Sequence, residues 1–237
     1  MEIKLFTIPN FITLANLICG ALAINQVAVN QNYVVAFGLI ILAAVFDFFD
    51  GFVARLLSQQ SEIGLQLDSL SDMVSFGLAP AMILFYMAQG AESLIDCELL
   101  STICRYLPFM VVAFSALRLA KFNIDKSQSS EFIGLPTPAC ALFCASVALV
   151  SQIQMVAIPL EAVALISVVF SLLLVSPIRM FALKFKDFGW QGNELRYLFI
   201  AASASSILLL KLYAITFIIL LYVSISIVCE VIKRMKA

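Results

Sequence analysis

Eight mostly apolar stretches follow one another along this chain, at about 9–28, 33–56, 63–89, 100–121, 136–154, 157–176, 195–210 and 213–232. A helix needs about 20 such residues to cross the hydrocarbon core of a bilayer. Inside that core the backbone must satisfy its own hydrogen bonds, so runs of this length are read as helices. The connections are short, the longest polar one being SPIRMFALKFKDFGWQGNEL at 176–195. The expected fold is therefore all-α: a polytopic transmembrane helical bundle of about eight spans with no soluble domain. Composition agrees, with 12% charged residues and a mean hydropathy of +1.06, against about 25% charged residues in a soluble domain.

The same composition removes whole classes of chemistry. There is no histidine, which excludes His-based triads, His–zinc sites and His-ligated haem. The net charge of −1 leaves no electrostatic footprint for nucleic acid. None of the six cysteines forms a CxxC pair. Cys140 and Cys144 lie one helical turn apart in an apolar run and are read as buried small residues. Cys97 and Cys104 share a predicted outer loop at 91–105, where a disulfide is one arrangement the spacing allows. The amino terminus, MEIKLFTIPN, runs straight into the first span, and no signal peptide is expected.

With eight spans both termini share one side of the membrane. Lys4, Arg55, Arg118, Lys121, Lys126, Arg179, Lys184, Lys186, Arg196, Lys233, Arg234 and Lys236 fall on that side, and only Arg105 and Lys211 on the other. Cationic residues mark cytoplasmic loops, so both termini are expected in the cytoplasm. Trp190 and Tyr197 are candidate interface markers. The 20 phenylalanines are assigned to lipid contact and packing, and the run AASASS (201–206) to close helix packing.

Against this apolar background stands DFFDGFVARLLSQQSEIGLQLDSLSDM, with Asp47, Asp50, Asp68 and Asp72 in one hairpin. A carboxylate at membrane depth costs a few kcal/mol and normally faces a partner, a cavity or an ion. Asp47 and Asp50 are three residues apart and share a helix face, as do Asp68 and Asp72, four apart. Two antiparallel helices then aim four acids at one point. One nearby arginine, Arg55, cannot neutralise all four. Oxygen-only ligands suit a hard divalent cation, Mg²⁺ or Mn²⁺. Four of them suit two ions about 4 Å apart, an arrangement used for displacement at phosphorus. Gly51, Ala54 and Gly64 permit close approach of backbone or ligand, and the planar fork of Arg55 suits a phosphate. A proton or cation pathway is the rival reading of buried acids.

The spacing D-x2-D-G-x2-A-R-x8-G-x3-D-x3-D resembles the signature of the CDP-alcohol phosphotransferase family at every fixed position: Asp47, Asp50, Gly51, Ala54, Arg55, Gly64, Asp68 and Asp72. The resemblance implies six core transmembrane helices, a homodimer, two metal ions held by the four Asp, and Asp72 as general base. Residues 1–176 would form the catalytic six-helix core and 177–237 two additional C-terminal spans. The segments IPNFITLANLICG, FSALRLAKFN (114–123) and FIGLPTPA (132–139) resemble the membrane-embedded phosphatidylserine synthase branch, not the unrelated phospholipase D-like type. That branch implies CDP-diacylglycerol as donor, L-serine as acceptor, phosphatidylserine and CMP as products, and a bacterial or archaeal cytoplasmic membrane with the site facing the cytoplasm.

Further roles follow from this resemblance and from position. Gly51, Ala54, Arg55 and Gly64 would line the CDP-diacylglycerol pocket. Thr13 and Asn16 project from the first span and would either hydrogen-bond the nucleotide or join helices. Arg118 and Lys121, at the cytoplasmic end of the fourth span, are candidates for the serine carboxylate or a donor phosphate, or simple positive-inside anchors; Arg is common in the family where Lys121 stands. Asn123 and Thr137 complete the candidate serine site. Pro136 and Pro138 start the fifth span. Two alternatives stand beside this reading. One is phosphatidylglycerophosphate synthase or another CDP-diacylglycerol-dependent phosphatidyltransferase; the other, of a different class, is a divalent-cation or proton transporter.

Overall fold

The structure is a computed structural model and describes residues 5–125, 132–181, 189–190 and 193–235. Of the cations used for orientation, Lys4, Lys126, Lys184, Lys186 and Lys236 lie outside these residues.

Helices α1 (Ile8–Asn30) and α2 (Tyr33–Leu56) form the first hairpin. Thr7 caps α1, accepting from the Asn10 amide, with proline in the first turn, where a missing N–H is harmless. The third span runs from Glu62 to Gly90: α3 (Glu62–Asp72), a π-helical turn (Met73–Leu78) and α4 (Ala79–Gly90). The fourth is broken at Leu107–Pro108 into α5 (Glu98–Tyr106) and α6 (Phe109–Ile124). Next come α7 (Thr137–Gln154) and α8 (Leu160–Val175). Finally α9 (Glu194–Leu210) meets α10 (Ala214–Met235) through a tight turn at Lys211–Tyr213. A two-residue antiparallel pairing joins β1 (Phe132–Ile133) to β2 (Arg179–Met180).

Among the described residues, six helical runs are long and apolar enough to cross a membrane. The last of these, Glu194–Met235, contains both α9 and α10, and α8 is a shorter apolar helix of 16 residues. The chain is thus an integral, all-helical membrane protein, in agreement with about eight spans. One feature differs from expectation. The span expected at 100–121 starts close to that, at Glu98, but is not continuous: it breaks at Leu107–Pro108, where proline has no N–H to continue the ladder.

The interior is built from small residues that let helices approach closely. Helix α1 packs on α2 and α4 on α7, and Ala23, Val27, Ala36, Ile40, Ala43, Ala79, Ile83, Leu84, Ala88, Cys140, Ala141, Cys144, Ala145 and Ala148 share one buried cluster. Cys140 and Cys144 are fully buried thiols, as expected, and Cys97 and Cys104 are unpaired. At Gly20 the approach is extreme: a Cβ there would lie 2.6 Å from the Ser75 Cα. Gly134 has φ +81°, and a Cβ would strike the Leu174 carbonyl, so only glycine fits where the β1 strand turns into α7. The outward faces carry large apolar residues such as Leu198, Leu208 and Leu209, as lipid contact requires. Trp190 and Tyr197 stack face to face at 5.5 Å.

At the end of the bundle away from the acidic hairpin, polar groups tie loops to helices. Gln152 accepts from the Tyr33 and Val34 amides and donates to the Gln31 carbonyl. Arg105 caps α4 by donating to the carbonyls of Ala88 and Gln89.

Candidate active site

The acidic hairpin is shaped by the turn between α2 and α3. The Ser58 amide donates to the Arg55 carbonyl and the Gln59 amide to the Ala54 carbonyl, the pair of bonds that ends a helix in a Schellman motif. Ser58 takes the left-handed conformation (φ 52°) where glycine is usual. Ser61 then caps α3 by accepting from the Gly64 amide at 3.1 Å. This reversal sets α3 against α2 and brings the acids together.

Oxygens of Asp47, Asp50 and Asp68 lie within 4.8 Å of one another. Asp47 is also in side-chain contact with both Asp68 and Asp72, so the fourth acid adjoins the cluster through Asp47. Asp50 and Asp72 are buried, and Asp47 and Asp68 are partly so. Among the described residues none of the four forms a salt bridge, and the buried Oδ1 of Asp68 has no hydrogen-bond partner. Clustered carboxylates with an orphaned oxygen fit a hard divalent cation, whose charge would replace the missing counter-ion.

Helix α1 holds these acids from behind. Thr13 Oγ1 lies 2.6 Å from Asp50 Oδ2 and 3.1 Å from the Pro9 carbonyl; its single proton goes to the shorter, charge-assisted contact. Asn16 Nδ2 donates to Asp72 Oδ1 at 3.3 Å. In the opposite direction Ser71 and Ser75 donate to the α1 carbonyls of Thr13 and Asn16. The π-helical turn begins directly after Asp72. Such turns concentrate at functional sites because they re-aim side chains within a helix; this one brings Ser75 against Gly20 and Gly77 against Ser115.

Beside the acids opens a cleft of about 490 Å³ lined by Asn10, Thr13, Asp50, Gly51, Ala54, Arg55, Gln59, Gln60, Gly64 and Asp68, among others. All four residues expected to line a donor pocket, Gly51, Ala54, Arg55 and Gly64, are in its wall. Thr13 reaches it; Asn16, fully buried behind Asp72, is not among its lining residues. Asn10, within the IPNFITLANLICG segment, and Gln59 and Gln60, in the turn between the acidic pairs, also join the wall, and none of the three is among the expected site residues. Asn10 is buried, donates to the Leu5 carbonyl, and sets its Oδ1 against Gly64.

The candidate acceptor residues lie on α6 and α7. Arg118 is 8% exposed, donates to Thr137 Oγ1 at 3.1 Å, lies 5.4 Å over the Phe122 ring, and is within electrostatic range of Asp72 and Asp47. Its burial separates it from a surface anchor. Asn123 donates to Ser69 Oγ at 2.8 Å, tying the end of α6 to α3 at the residue after Asp68. Lys121 is exposed on the outer side of the same helix and is not brought into this group.

Comparison with known proteins matches residues 6–173 to the family described as CDP-alcohol phosphatidyltransferase. The chain is 40% identical over 134 residues to the CDP-diacylglycerol–serine O-phosphatidyltransferase of Bacillus subtilis, covering 55% of this chain and 69% of that one. The protein of the same name from Methanocaldococcus jannaschii is 40% identical over 139 residues, covering 59% of each chain. That from Helicobacter pylori J99 is 34% identical over 140 residues, covering 58% of this chain and 55% of its own. The matched stretch thus spans between 55% and 69% of these relatives.

Proposed function

The chain belongs to the CDP-alcohol phosphatidyltransferase family, and from that premise we propose that it transfers the phosphatidyl group of CDP-diacylglycerol to the hydroxyl of L-serine, giving phosphatidylserine and CMP. The observation that carries the proposal is the gathering of Asp47, Asp50 and Asp68 oxygens within 4.8 Å, with Asp72 alongside, at the wall of a cleft lined by the remaining motif residues. The names of the three relatives supply the donor and the acceptor.

Asp47, Asp50, Asp68 and Asp72 are the residues that would hold two divalent ions, Mg²⁺ or Mn²⁺. When bound, such ions neutralise diphosphate charge as Lewis acids. Gly51, Ala54 and Gly64 leave room for the nucleotide, and Arg55 faces its phosphates. Asn16 occupies Asp72 Oδ1, which leaves Oδ2 to take the proton from the serine hydroxyl. The serine oxygen then bonds to the lipid-bearing phosphorus while the bond from that phosphorus to the CMP oxygen breaks. Arg118, presented by Thr137, binds the serine carboxylate, and Asn123 fixes α6 against α3. Residues 1–176 form the catalytic core and 177–237 two further spans. Site and termini face the cytoplasm of a bacterial or archaeal cell, and the working unit is a homodimer.

A transporter would need polar groups continuing across the bundle. Beyond Asn16 and Ser75 the buried faces of α1, α2 and α4 turn to Ala23, Val27, Ile40, Ile83 and Leu84, and the buried Ser146, Ser167 and Ser171 hydroxyls donate to carbonyls of their own helices, which favours a one-sided lipid enzyme. The deciding experiment measures CMP release by the purified, detergent-solubilised protein with Mn²⁺ and CDP-diacylglycerol, offering serine, glycerol 3-phosphate or inositol phosphate. Release stimulated by serine alone, with phosphatidylserine in the lipid extract, is expected. Stimulation by a phosphorylated acceptor instead would keep the acidic chemistry and discard the acceptor assignment.

A further inference from the structure

Helices α9 and α10 lie beyond residues 6–173, the stretch that matches the family, yet α10 reaches back to the candidate acceptor residues. Its anchor is a 2.7 Å hydrogen bond between Thr216 Oγ1 and Ser146 Oγ of α7. Six residues on, the Tyr222 hydroxyl donates to the Phe181 carbonyl at 3.1 Å. The Tyr222 ring packs on Phe181 at 4.9 Å and on Phe199 at 6.0 Å. Phe181 directly follows β2, whose partner β1 leads through Gly134 and Leu135 into Thr137. Thr137 in turn accepts the hydrogen bond from Arg118. Arg118 and Tyr222 also lie within electrostatic range of each other. Tyr222 therefore holds one end of a short chain of contacts that runs from Phe181 through the strand pair to Thr137, and from Thr137 to the guanidinium of Arg118.

We infer that Tyr222 is a positioning residue of the acceptor side, through which the C-terminal hairpin sets the orientation of Arg118 and hence the affinity for the acceptor carboxylate. The inference rests on the reading of Arg118 given above. Because the hydroxyl is engaged by a backbone carbonyl, Tyr222 acts through Arg118 and the strand pair and not by contact with the reacting atoms. An apolar helix face would suffice if α10 served only as lipid contact; a tyrosine whose hydroxyl is tied to the end of β2 does more.

The test is steady-state kinetics of the full chain with Tyr222→Phe, Tyr222→Ala, Arg118→Ala and the double variant Tyr222→Phe/Arg118→Ala. Tyr222→Phe keeps the ring packing and removes one hydrogen bond, so the KM for serine rises roughly three- to tenfold while the KM for CDP-diacylglycerol and the thermal midpoint hold. In the Arg118→Ala background the same change has no further effect on the serine KM, the signature of two residues acting as one unit. If Arg118→Ala raises the serine KM and neither Tyr222 variant does, the inference falls and the acceptor reading stands. If Tyr222→Phe raises donor and acceptor KM alike, Tyr222 is merely structural and the inference again falls. If Arg118→Ala leaves the serine KM untouched, the acceptor reading itself is lost.

Discussion

The Thr13 hydroxyl lies 2.6 Å from Asp50 Oδ2, between α1 and α2, and both residues are buried at the wall of the cleft. A hydrogen bond to a charged carboxylate in such a place both fixes its rotamer and leaves its other oxygen for a ligand.

Thr13→Val keeps the volume and deletes the donor. Outer-shell changes of this kind typically cost about 10- to 100-fold in metal affinity or activity. The expected result is an upward shift of that order in the Mn²⁺ concentration needed for half-maximal CMP release, with Thr13→Ser restoring most of it. A metal titration that is unchanged in Thr13→Val would reduce the contact to helix packing.

Gly20 supplies a second handle on the same helix. A Cβ at Gly20 would sit 2.5 Å from Ser75 Oγ and 2.9 Å from the Ser75 amide nitrogen, and the backbone of the π-helical turn cannot swing aside as a flexible side chain would. Gly20→Ala should therefore push α1 off that turn, at an overpacking cost of about 1–3 kcal/mol. Since Asn16 and Ser75 are bonded at this junction, the thermal midpoint and the turnover should drop together. Full activity with a lowered midpoint would show that the α1–π contact is needed for stability alone.

Much of this architecture is legible in the amino-acid sequence. The apolar runs locate the helices because a spanning segment must be apolar over its whole length, and Pro136 and Pro138 mark the start of α7. The acidic motif is legible because carboxylates are costly in such a background. What sequence does not disclose is long-range or depends on backbone detail. The Thr13–Asp50 and Asn16–Asp72 bonds join residues 37 and 56 positions apart, and nothing local says which polar group of α1 meets which acid. The π-helical turn leaves the apolar pattern of span three unbroken, so hydropathy is blind to it. The turn after α2 uses Ser58 in a conformation that usually announces itself with glycine. The role of α10 is hidden for a related reason: its sequence reads as lipid-facing, and only the packed structure turns Tyr222 towards Phe181.

Metal dependence can be read without turnover. If the acids hold divalent ions, Mn²⁺ or Mg²⁺ should raise the thermal midpoint of the purified protein, because a ligand at about 100 times its dissociation constant stabilises by roughly 2.7 kcal/mol. Excess EDTA should reverse the rise and stop CMP release. Asp68→Asn removes the charge beside the orphaned Oδ1 and should abolish the shift while the protein remains folded. An equal shift in wild type and Asp68→Asn would locate the binding elsewhere.

Asp72 is the residue on which the proposed proton transfer turns. It is buried, adjoins Asp47, and accepts from Asn16 through Oδ1. Asp72→Asn preserves shape, and the amide oxygen can still accept from Asn16, so the junction of α1 with the third span should survive. What is lost is the ability to take a proton. General-base catalysis is worth about 10²- to 10⁴-fold, and turnover should fall by at least the lower figure. CDP-diacylglycerol binding, measured on the same preparation by protection against thermal unfolding, should persist, because Gly51, Ala54, Arg55 and Gly64 of the cleft wall are untouched. Loss of donor protection together with turnover would make Asp72 chiefly a metal ligand, and turnover near the wild-type rate would move the base to another residue.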